Sequence, residues 1–172
     1  LEVPAGSLEY WGSRLDKYSV PLGAIERRFG DTVLPVVDPH GLKLTLVEPG
    51  TPPPRAFTPW DGSPVPAERQ VRGLHGAQIW ELGADATETF LTDVLGFERL
   101  AQEQALTRYG FPGSAGVVDV RETPDAHRGT WGVGCVHHLA WRVDDERHQA
   151  EVRARLDAAG RHQIGEALAP FD

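Results

Sequence analysis

Two histidines, His137 and His138, stand side by side in the stretch GCVHHLAWRV at 134–143. Imidazoles are the commonest metal ligands among side chains, but this spacing divides the pair. The stretch reads as a β-strand, and adjacent strand residues point to opposite faces, so the two rings have different surroundings. A non-haem iron centre asks for two imidazoles and a carboxylate on one face, with positions left open for further ligands. This pair can supply only one of those three groups. The plainer reading, one ring packed and one solvated, involves no chemistry. Cys135 is the only cysteine, which leaves neither a thiolate cluster nor an intrachain disulfide, and it reads as a small strand residue.

Strand parity separates the two rings. His137 is in phase with Leu139, Trp141 and Val143, an apolar set suited to packing beneath a helix. His138 is in phase with Val136, Ala140 and Arg142, where the small Ala140 leaves room for a ligand. His138 is therefore the candidate metal ligand, expected on a concave face, with His137 toward the core. His148 is expected on a solvated helix face. His127, beside Arg128 in a loop, has the weaker claim on a cavity. Arg142 suits a strand-end ion pair better than an anionic ligand.

The elements that must hold these residues come in repeats. In AGSLEYWGSRLDKY, Leu8, Trp11, Leu15 and Tyr18 recur at helical spacing, with Ser7 placed as N-cap. AIERRF, TVLPVVD and LKLTLVE follow as short β-rich runs, the last two joined by the turn signal DPHG at 38–41. This first unit, 1–48, lacks a legible leading strand. The proline-crowded stretch 49–71 reads as an extended linker. A second unit, 72–125, has a strand in LHGAQIWEL and a helix in DATETFLTDVLGF, with Phe90, Leu91, Val94 and Leu95 on one face. Asp85 and Glu88 have capping-box spacing, and Gly96 is placed to stop the helix. Strands in ERLAQE, LTRYGF and AGVVDVRE complete the unit. The third unit, 132–172, restarts with CVHHLAWRV and a helix in DDERHQAEVRARLDAAG ending at Gly160, and its last strands are not legible. The expected fold is α+β, with tandem βαβββ modules paired into a curved half-barrel sheet and helices outside. In repeat register His75 falls opposite His137, and Gly76 opposite His138, so His138 is what the third unit adds.

With 172 residues, 40% of them hydrophobic, the chain can bury a real core. A formal charge of −8 argues against nucleic acid or an anionic membrane surface as partner. No apolar run approaches the roughly 18 residues of a membrane span and no basic-then-apolar leader opens the sequence, so a cytoplasmic protein is expected. The chain contains no methionine and reads as the interior of a longer polypeptide.

GSLEYWGSRL, RRFGDTVLPVVDPHGLKLTLVE, VRGLHGAQIW, TETFLTDVLGFERL and RGTWGVGCVHHLAWRVDDERHQAEVRARL together resemble the vicinal oxygen chelate superfamily. The likeness is greatest to its ring-cleaving dioxygenases. It covers nearly the whole chain in the right order; FLTDVLGF marks the superfamily, and RGTW with VHHLAW marks the branch. The resemblance implies four βαβββ modules and extradiol-type opening of a hydroquinone- or catechol-like diol with O2 at Fe(II), Mn(II) and Zn(II) being the other metals considered. It also leaves room for a homo-oligomer. Of the family's ligands, a histidine in the first module, a histidine in the fourth and a glutamate near the fourth module's end, only the fourth-module histidine carries over, as His138. No metal is expected to be held by this chain alone. Two other readings stand beside this one: a glyoxalase-like metal-dependent isomerase or lyase, and a metal-free small-molecule binding protein. The family's usual final strands are not found after Gly160, so a discontinuity is expected near Gln163 and Ile164, with roughly forty residues absent, the length of a three-strand set with turns.

Overall fold

The computed structural model describes residues 1–53, 56–114, 116–127, 129, 132–133, 136 and 138–160. Helix α1 (Leu8–Asp16) packs Leu8, Trp11 and Leu15 against Leu34, Val36 and Leu46 of a three-stranded antiparallel sheet. That sheet has the order β1 (Glu26–Arg28), β2 (Asp31–Val37), β3 (Lys43–Glu48). Ser7 is at the N-cap, but its hydroxyl makes no capping bond; Glu48 Oε1 on β3 accepts from the Leu8 amide instead, at 2.8 Å. The β2–β3 turn forms as its residues dictate: Asp38 Oδ1 accepts from the amides of His40 and Leu42, each at 2.8 Å, and Gly41 takes φ +88°.

The second unit builds a four-stranded sheet in the order β4 (Gly76–Glu81), β7 (Val117–Glu122), β6 (Leu106–Gly110), β5 (Glu98–Glu103). β4 runs parallel to β7, and the other pairs are antiparallel. Helix α2 (Asp85–Thr89) continues through a wider π-type turn, Phe90–Val94, and Gly96 stops it at φ +80°. Asp85 is the first helical residue and Ala84 the N-cap, so the capping box expected from Asp85 and Glu88 does not form. Leu91, Phe97, Tyr109, Val118 and Val120 make the core of this unit. Full burial of such side chains contributes about 1.5–3 kcal/mol each.

Residues 1–3 join the two sheets. Val3 N–H donates to Val47 O and Val47 N–H to Leu1 O, each at 2.8 Å, while Glu2 N–H donates to Gly73 O at 2.9 Å and Arg72 N–H to Glu2 O at 2.8 Å. Glu2 thus holds, in a single residue, the place of the leading strand that the sequence does not display. The result is the expected α+β arrangement, two open sheets flanked by helices rather than a closed barrel.

The proline-rich stretch is not a free spacer. Gln70, 9% exposed, accepts from Trp60 N–H at 2.9 Å and donates to Trp60 O and Val65 O, both at 3.0 Å. Trp11 Nε1 donates to Arg69 O at 2.8 Å, which straps the segment onto α1. Composition had suggested extension because it registers the prolines and not one buried amide that closes a loop.

In the third unit, α3 (Glu146–Ala158) forms as expected, and Gly160 follows it at φ +71°. The described residues 138–143 belong to no strand, against the strand expected in CVHHLAWRV. The discontinuity expected near Gln163 and Ile164 falls outside the described residues.

Candidate functional site

His138 is exposed and precedes two anchored positions of the chain. Trp141 packs edge-on against Phe97 at 5.7 Å, and the Phe97 ring lies 4.5 Å from that of Phe111, tilted by 41°. Beyond it, Asp145 Oδ1 accepts from the His148 amide at 2.8 Å and caps α3. His148 Nδ1 accepts in turn from Asp144 N–H at 3.3 Å, so this imidazole serves the helix start. His127 and Arg142 are exposed. His137 and Cys135 lie outside the described residues.

The position matching His138 in the second unit is Gly76, and a Cβ there would stand 2.4 Å from the Val117 carbonyl oxygen. The parallel ladder of β4 on β7 leaves no room for a side chain, so the second unit cannot present a ligand at this place.

His75 is placed elsewhere, in a cluster of charge between the two sheets. Tyr109 on β6 and Val118 and Val120 on β7 face the core, so alternation turns the cross-strand partners Arg108 and Asp119 to the opposite face. Arg108 Nε and Nη2 donate to the two Asp119 oxygens at 2.8 and 3.0 Å, and Nη1 donates to Asp31 Oδ2 of the first sheet at 2.7 Å. The Phe29 ring lies 4.3 Å from the guanidinium carbon. Asp31 Oδ1 accepts from Gly50 N–H at 3.0 Å. His75 Nε2, a buried atom, stands 3.5 Å from Asp31 Oδ2, beyond a good hydrogen bond.

Burial by itself would raise the pKa of Asp31; the neighbouring His75 and Arg108 and the Gly50 amide outweigh it and hold the carboxyl at about 2. For Arg108, desolvation is likewise outweighed, by Asp119 and then Asp31, and its pKa is raised. Sequence reasoning missed this cluster. Its one signal was a charged residue between apolar neighbours in each of two short runs, Arg108 in LTRYG and Asp119 in VVDV.

Among the described residues, no three His, Cys, Asp or Glu side chains converge in a group that could hold a metal ion. The described residues do not by themselves fit the two imidazoles and a carboxylate that an iron centre asks for.

No protein-family model matches the chain. MhqO of Bacillus subtilis (strain 168), named as a ring-cleaving dioxygenase, is 37% identical over 159 residues, 92% of this chain and 49% of its own length. The chlorohydroquinone/hydroquinone 1,2-dioxygenase of Sphingobium indicum is 30% identical over 163 residues, 92% of this chain and 50% of that protein. A crystal structure from Bacillus subtilis, named as a dioxygenase, superposes with a TM-score of 0.79 at 33% identity, over 92% of this chain and 50% of that one. The tandem sheet-and-helix units and these matches together place the chain in the vicinal oxygen chelate superfamily. Within the superfamily, the relatives it matches are named as ring-cleaving dioxygenases. The chain spans about half the length of the curated relatives it matches.

Proposed function

We propose that this chain is part of a ring-cleaving dioxygenase that acts in the cytoplasm, opening a hydroquinone- or catechol-like diol with O2 at a non-haem Fe(II). The observation that carries the reading is the match over 92% of the chain to relatives of that name, one of them a hydroquinone 1,2-dioxygenase. His138 is the residue proposed to ligate the metal, as a neutral imidazole; its exposure and the exclusion of a side chain at the matching Gly76 support that choice. The other ligands come from residues other than those described. Among the described residues no helix is long and apolar enough to cross a membrane.

The test is oxygen uptake. The protein that contains this chain, purified without oxygen and loaded with Fe(II), should consume one O2 for each hydroquinone opened and give a ring-opened product. Iron-loaded protein that takes up no oxygen with hydroquinone or catechol would contradict the proposal.

A further inference from the structure

The two sheets carry separate cores: Leu34, Val36 and Leu46 pack under α1, and Leu91, Tyr109 and Val118 pack with α2. Among the described residues the two buried clusters share no member. The units are spanned by the Glu2 backbone bridges and by the charge cluster around Arg108. An exposed contact of Lys43 with the Trp80 ring, at 4.2 Å, adds to them.

The turn that delivers Asp31 is strained. Phe29 has φ +50°, a left-handed conformation that bulky side chains seldom adopt, and Gly30 follows at +84°. Such a two-residue hairpin turn favours Asn-Gly. Here the first position carries phenylalanine, and its ring lies on Arg108 of the other unit. A strained residue in one unit is thus held by a contact to the next, beside an ion pair that makes the same crossing.

We infer that Phe29, Asp31, Arg108 and Asp119 form a latch that fixes the angle between the two units and so sets how far the face opposite the helices is open. Because neither apolar core takes part, the latch opens while both cores stay folded. Release frees the Phe29 turn to relax and leaves the Glu2 bridges as the joint.

Amide hydrogen exchange of the full chain tests this. Phe29→Asn suits the left-handed turn and removes only the ring contact. The triple variant Asp31→Asn, Arg108→Met, Asp119→Asn removes all three charges together, so none is stranded. In both variants the Glu2 and Arg72 amides at the joint should exchange faster, by about tenfold in the triple variant, while the Leu46 and Val120 amides stay within about twofold of the parent. Joint amides that exchange at the parent rate in both variants would overturn the inference. So would loss of protection at Leu46 and Val120 together with the joint, or a triple variant that does not fold, since the latch would then be inseparable from the cores.

Discussion

In the second unit β4 lies parallel to β7 along its whole length, from Gly76 opposite Val117 to Glu81 opposite Glu122, whereas in the third unit the described residues 138–143 belong to no strand. Both stretches mix large apolar residues with smaller or polar ones. The difference lies in their partners. β4 is held along its length by β7, the last strand of its own unit, whereas among the described residues no strand pairs with 138–143, and alternation by itself does not make a strand. The same ladder that orders β4 also forbids a side chain at Gly76, through the Val117 carbonyl. At Gly76 the position serves the sheet, and the matching position, His138, is the proposed ligand.

The most disruptive way to break this contrast is to give the second unit the third unit's residue. Gly76→His must push β4 off β7 and should lower stability by about 3 kcal/mol or more, measured by urea denaturation, with no gain of metal binding. A loss below about 0.5 kcal/mol would mean that the close approach at Val117 imposes no constraint.

A smaller effect sharpens the contrast between the latched pair of units and the third. The Asp31 carboxyl is lowered from 3.8 to about 2 in the folded state. A depressed acid contributes stability that is fully present above the unfolded value and is lost as pH falls through the folded one. Roughly 2 kcal/mol should therefore disappear between about pH 4 and pH 2, and Asp31→Asn should flatten that part of the acid titration. The measurement is unfolding free energy against pH for both proteins. An unchanged slope in the variant would remove Asp31 as the source.

Much of the scaffold was legible because its signals are local. The 3.6-residue recurrence of Leu8, Trp11 and Leu15, the Asp38 turn, and the glycines at 96 and 160 each specify conformation within a few residues. What was not legible depends on distant partners. Glu48 caps α1 from β3, Gln70 closes the proline-rich strap, and Arg108 reaches Asp31 across 77 positions of chain. The capping box at Asp85 failed for a related reason: spacing identifies residues able to cap, whereas the helix here begins one residue too early for Asp85 to do so. Of the candidate site, the sequence offers His138 and a reason to prefer it over His75. The residues that would complete a metal centre are not among those described.

Iron content gives the most direct test, because it sets His138 against His75, the histidine that the second unit carries one position earlier in register. The protein that contains this chain, loaded anaerobically with Fe(II) and freed of excess metal, should retain iron as the parent and as His75→Ala. It should fall to background as His138→Ala, with the circular dichroism of the folded protein unchanged. Iron retained in His138→Ala, or lost in His75→Ala while the fold persists, would contradict the assignment.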